Sequence, residues 1–283
     1  MRVPTGIPTE QIESTDEIWL AYDGTTGAAT TGRLAPDGTA TDFAHFTLDR
    51  GWHSIQPVMN GITLFWASGT GSQVSAGVFS PAGVFTDLVT SSLGGDGFHR
   101  MLVLHAGLVM WTRSVQENGQ YRLVAVIGRV FPDGRHEVVS EQYLLDFWTH
   151  IVHVGGGFVL FYNSDSRSAA TGRVTAQGAF VDLGHSYQFD PWTTLLSTGD
   201  GTVLLHNSAD GLLITGRVLA DGSFIDLHTQ FFGQMRFIPT TRGRYVILRT
   251  ADTLAARLDG GGVFTDTVIV HGLPTQRQIV FVR

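Results

Sequence analysis

Two histidines stand directly after a bulky aromatic residue, in Trp52-His53 and Phe98-His99. Imidazole titrates near neutrality, so such a pair can relay a proton or orient an anionic or hydroxylated ligand. After Trp148 and Trp192 the same place is held by Thr149 and Thr193, and the approximate equivalents further on are Arg236 and Arg277. A purely structural position should look alike in every copy, and this one is uneven. If the segments that carry it converge on an axis, they form one asymmetric polar ring. His53, His99, Arg236 and Arg277 would then supply acid–base and electrostatic groups to a single pocket.

A second set is aromatic. Tyr22, Trp66, Trp111, Tyr162 and His206 close apolar runs, while Trp148 and Trp192 open others. Aromatic faces beside loops stack on sugar C–H surfaces, which makes these seven the ligand-binding candidates; large rings also plug gaps between packed sheets. His53, His99 and His150 are the candidates for a zinc, iron or copper site. His150 is offset by one position and should face the other side of its strand. His105 and His153 read as satisfied core or loop residues. The expectation is therefore no metal and no cofactor. The sequence holds no His-Glu-x-x-His, Walker or Gly-x-Ser-x-Gly motif.

What positions these residues is an internal repeat. Its signature is Gly-Arg, an apolar residue, three variable residues, Gly, one residue, Phe, one residue, Asp. The first glycines are Gly32, Gly77, Gly128, Gly172 and Gly216, with Ala256 in the sixth copy. A turn glycine follows each of them, from Gly38 and Gly83 to Gly222 and Gly262. Each copy divides into four strand-like segments, A to D. Segment A runs from Trp52 to Val58, Phe98 to Leu104, Trp148 to Val154, Trp192 to Thr198 and roughly Met235 to Thr240. The first block, Ile18 to Phe46, lacks its own A segment, and Thr275 to Arg283 at the C-terminus can supply it. The fold class is thus all-β, a six-bladed propeller over residues 17–283 whose C-terminal strand closes the first blade, with residues 1–16 as an irregular arm. Closure of this kind removes exposed sheet edges.

Asp-Gly pairs between C and D favour two-residue hairpins. In that register Arg33 faces Asp42, Arg173 faces Asp182, Arg217 faces Asp226 and Arg257 faces Asp266, a set of structural cross-strand pairs. Blade 3 departs from the rest: its B–C connection, Arg113 to Ile127, is longer and can be either a lid over the axis or a tolerated insertion.

Trp148-Thr149-His150-Ile151, then Gly157-Phe158-Val159-Leu160-Phe161-Tyr162-Asn163, then Ala170-Thr171-Gly172-Arg173 resembles the repeats of tectonin- and tachylectin-like propellers. The resemblance implies glycan binding. A multivalent lectin, however, repeats its ligand-contacting residues, and here the loop residues vary while turn and core positions repeat.

Composition narrows the partners. The net charge of −7, with acids and bases interspersed, argues against nucleic acid or an anionic membrane. No apolar run reaches the roughly 20 residues of a spanning helix, and the N-terminus lacks the apolar core of a secretory signal, so the expected location is cytoplasmic. With no cysteine there is neither disulfide nor thiolate site. The expected function is a lectin-like propeller binding a glycan or small molecule on the face of the D–A and B–C loops. The alternative is an enzyme with one axial pocket, of isomerase, lyase or cyclase type.

Overall fold

The computed structural model describes residues 17–282, apart from positions 60, 70, 96, 145, 198, 241, 242, 249–251 and 275–277. It consists of six sheets of four antiparallel strands, each in the order A-B-C-D, and no helix occurs among the described residues. The arm expected at residues 1–16 lies outside them. The innermost strands are Ser54–Pro57, Phe98–Val103, His150–Gly155, Thr194–Ser197, Arg236–Pro239 and Gln278–Phe281. Each touches the innermost strands of the blades on either side, so the ring is closed.

Closure works as the segment count implies. Gln278–Phe281 pairs antiparallel with the first described strand, Glu17–Tyr22, with Trp19 opposite Phe281 and Tyr22 opposite Gln278. Glu17 adds a second tie across the same seam. Its carboxylate accepts from Arg244 Nη2 at 2.7 Å and from Thr240 Oγ1 at 2.6 Å, both in blade 6, and all three residues are buried.

Burial explains the composition of each segment. The B strands are sandwiched between neighbouring blades on both faces, so Glu17–Tyr22 is buried at every residue and reads as a continuous apolar run rather than an alternation. The D strands lie at the rim and alternate, as Phe180–Gln188 does. Six apolar clusters fill the six gaps between blades.

The repeated glycines have two separate causes. At the Gly of Gly-Arg the chain passes under an aromatic ring: a Cβ on Gly216 would lie 2.1 Å from Phe224 Cζ, so the repeat's Gly and Phe are one packing unit. The turn glycine needs positive φ and also touches the preceding blade. Gly38 has φ +90°, and a Cβ there would lie 2.2 Å from the backbone oxygen of Ile269. Its carbonyl accepts from His271 N–H, continuing the blade 6 to blade 1 seam.

The Arg–Asp register differs from the expected one. The C–D connection is a three-residue loop, with Ala35 N–H bonded to Thr39 O and only the glycine of Asp37-Gly38 at positive φ. Arg33 therefore faces Thr41 and Asp42 faces Gly32; Arg173 faces Val181 and Asp182 faces Gly172; Arg217 faces Ile225 and Asp226 faces Gly216. In blade 6 Arg257 faces Thr265. The aspartate of the Asp-Gly pair acts locally instead, with Asp37 Oδ1 accepting from Thr39 N–H.

Candidate functional site

The aromatic candidates hold the scaffold. Tyr22, Trp66, Trp111, Tyr162, His206 and Trp192 are buried, and Trp148 packs half-buried on the cluster between blades 3 and 4. None of the six buried side chains offers the open ring face that sugar stacking needs. In blades 1, 4 and 5 the polar tip of the B-strand ring instead ties down the D–A loop leading to the next blade. Tyr22 OH donates to Asp49 O at 2.7 Å and accepts from Trp52 N–H. Tyr162 OH does the same with Asp190 O and Trp192 N–H, and His206 Nε2 meets Gly233 O at 3.0 Å. These bonds hold Trp52 and Trp192 just ahead of their strands, which begin at Ser54 and Thr194 rather than at the tryptophans. Blades 2 and 3 break the pattern: among the described residues the buried indole Nε1 groups of Trp66 and Trp111 have no partner, and the Trp111 ring turns back onto the cluster between blades 2 and 3.

The polar ring resolves into a cap. Thr149 Oγ1 accepts from Ser164 N–H at 2.8 Å and donates to Tyr162 O. Thr193 Oγ1 accepts from Ser208 N–H at 2.9 Å and donates to His206 O. In blade 2 the acceptor is His53 Nδ1, 3.1 Å from Ser68 N–H, which assigns the proton of the neutral ring to Nε2. All three cap the backbone where a B strand ends, and imidazole stands in for hydroxyl.

Blade 3 is shifted. Met101 faces Trp111 and Arg100 faces Thr112, with a bulge that leaves His99 unpaired. Arg100 reaches the next blade as His150 does, and Met101 packs back on the preceding blade as Ile151 does, so Arg100 shares the register of His150 while His99 keeps that of His53, Thr149 and Thr193. His99 is exposed, with Nδ1 3.0 Å from Gly97 O. Arg236 slips by one, facing Leu248, so its position matches Ser54, Arg100 and Thr194 instead. Arg277 lies outside the described residues. Sequence could not show the bulge, because Phe98-His99 mimics Trp52-His53 in every visible respect.

Two cavities adjoin Arg100. An axial one of ≈ 1000 Å³ runs the length of the inner strands and is walled by residues of all six, mostly aliphatic, with Gln56, Arg100, His153, Ser197 and Thr240 as polar members. It reaches Met59 and Gly61 at an A–B hairpin, so it extends to the face opposite the expected one. The second, ≈ 410 Å³, lies between blades 2 and 3 and brings together His53, Trp66, Ser68, His99 and Arg100. Four residues picked from sequence, or their direct neighbours, thus meet in one place, though not as a ring.

Three inner-strand side chains bridge blades. Gln56 donates to Met101 O and accepts from Val103 N–H, both at 2.9 Å. Arg100 Nη2 donates to Thr149 O. His150 Nε2 reaches Thr193 O at 3.3 Å, which turns it toward blade 5 and away from His53 and His99. The three imidazoles considered for a metal therefore do not converge, and no group of three or more His, Asp or Glu able to hold an ion occurs among the described residues.

Of the two histidines read as core or loop residues, His105 lies in the A–B loop of blade 3 and His153 on the inner strand of blade 4. Their rings stack 6.1 Å apart between blades 3 and 4, and among the described residues the buried His153 Nε2 and His105 Nδ1 have no partner. Burial, with His105 beside it, pushes the His153 imidazole down to about 4. His105 is lowered too, by burial and by Arg173. The long blade 3 connection is a continuous hairpin, Leu108–Glu117 with Gln120–Val130, turning at Asn118-Gly119 with both φ values positive. Its added tip walls neither cavity. Arg122 lies over Tyr143 at the rim instead, which makes the extension an insertion rather than a lid here.

No protein-family signature and no curated protein matches the chain. Solved structures do share its architecture. A candidate 6-phosphogluconolactonase from Bacteroides uniformis superimposes with a TM-score of 0.59 at 11% identity, over 94% of this chain and 100% of its own. Another from Bacteroides fragilis gives 0.54 at 12% identity, over 91% and 96%. A protein of unknown function from Desulfotomaculum acetoxidans gives 0.59 at 8% identity, over 88% and 78%. The tectonin and tachylectin likeness rests on the repeat residues alone, and what these neighbours share with the chain is the β-propeller fold.

Proposed function

We propose that this propeller binds one small molecule, at the junction of the axial cavity with the pocket between blades 2 and 3. The supporting observation is where symmetry breaks. In blades 1, 4 and 5 the B-end ring bonds to the next loop, whereas Trp66 and Trp111 do not, and only there do His53, Ser68, His99 and Arg100 line a common pocket. A multivalent lectin needs the opposite arrangement, equivalent open aromatic faces in every blade. A glycan remains compatible as a single ligand through its hydroxyls. The enzyme reading is favoured by two imidazoles and a guanidinium facing one pocket, a set able to move a proton and stabilise developing negative charge.

Stoichiometry tests this. Isothermal titration of any hit from a thermal-shift screen of small metabolites should give one site per chain. Leu196→Trp, which fills the axial cavity, should abolish binding with little change in melting temperature. Several equivalent sites, or binding untouched by that substitution, would overturn the proposal.

A further inference from the structure

Arg100 carries the only full charge among the described residues that line the two cavities, since neither wall contains Asp, Glu or Lys. No ion pair forms on it among the described residues. One guanidinium nitrogen is committed to Thr149 O, and the other, Nη1, is buried with no hydrogen-bond partner among the described residues. Burial lowers its affinity for its proton, the expected response of a cation with no counter-charge. His150, the imidazole beside it, is also shifted toward its neutral form, chiefly by burial. Leaving a buried charge unpaired is costly. Gln56 and His150 make comparable blade-to-blade bonds without a full charge, so bracing alone does not require an arginine there.

Resting on the single-site reading, we propose that the ligand carries a small oxyanion, a carboxylate or a phosphate monoester, whose charged end docks on Arg100. A guanidinium offers its N–H groups in a planar fork that fits two oxygens of one anion. The rest of the ligand would meet the hydroxyl of Ser68 and the imidazoles of His53 and His99 on one side, and aliphatic walls on the other. In a chain of net charge −7, a lone cation in a low-dielectric cleft also concentrates anions locally.

The test uses inorganic phosphate and succinate as probes, at ionic strength matched with sodium chloride. Each is titrated against the full-length protein and Arg100→Gln by thermal shift and calorimetry. At least one probe should raise the melting temperature saturably with a 1:1 isotherm, and Arg100→Gln should weaken it at least tenfold, about 1.4 kcal/mol. Which probe works distinguishes phosphate from carboxylate recognition. If Arg100→Gln fails to fold, Arg100→Lys, which keeps the charge but loses the fork, should fold and bind more weakly than wild type; unchanged binding refutes the docking mode. An equal shift in wild type and Arg100→Gln overturns the inference. So does the absence of any response, and then a neutral ligand seated in the cavity would leave the single-site reading intact, whereas no ligand of either kind would sink both.

Discussion

His153 sits among aliphatic side chains on the axial wall, its Nε2 without a partner among the described residues, a place that tolerates imidazole and resists imidazolium. Its folded pKa near 4 lies below the ordinary value of about 6.5. The unfolded chain therefore binds the proton more readily between those two values. Stability from this group is complete above about 6.5, falls as the pH drops toward 4, and falls no further below. The loss is at most about 3 kcal/mol. Burial shifts His105, His136 and His150 in the same direction, which steepens the acid limb. His153→Leu should flatten it. Urea midpoints from pH 7 to 4.5 should fall more for wild type than for the variant, and parallel curves would show that His153 is not the source.

Between elements, the contacts that matter are repeated devices at strand ends. The cap formed by Thr149, Thr193 and His53 predicts that His53→Thr is nearly neutral, within about 0.5 kcal/mol, because a hydroxyl does this work in blades 4 and 5. His53→Ala should cost about 1 kcal/mol by stranding the Ser68 N–H. Denaturant midpoints read both, and equal losses for Thr and Ala would mean that the imidazole is needed for something other than the cap. This level also shows what sequence could carry. The six-fold period, the four segments and the closing strand were legible, because glycine under aromatic, turn glycine and apolar B run are all local patterns. The pairing of Arg with Asp was not, since Asp-Gly suits a two-residue turn and a three-residue loop alike, and one residue decides which side chains face each other. Tyr22 and Trp192 were visible as special positions but not as braces, because their hydrogen bonds span blades. Arg100 gave no signal in the sequence: its position is held by Ser54, His150 and Thr194 in other blades, and what sets it apart is the surroundings that leave it without a counter-charge.

At the scale of the whole molecule, the ring depends on one seam, between blades 6 and 1, where non-adjacent parts of the chain must meet. The Gln278–Phe281 strand supplies the pairing, and the Glu17–Arg244 pair adds the only described ion pair whose two residues are both buried. Such a pair constrains more than it stabilises, because desolvation offsets much of the Coulomb attraction. Glu17→Gln should therefore be severe, about 3–5 kcal/mol, since it leaves the Arg244 cation buried without its counter-charge. Glu17→Met combined with Arg244→Met should recover most of that loss, because two apolar side chains bury without an orphaned charge. Removing residues 278–283 should do what neither does: expose the edge of Glu17–Tyr22, with every side chain of that strand normally buried, and turn a cooperative thermal transition into aggregation seen by light scattering. If the truncated chain instead stays monomeric with an unchanged melting temperature, the ring is held by its inter-blade cores alone.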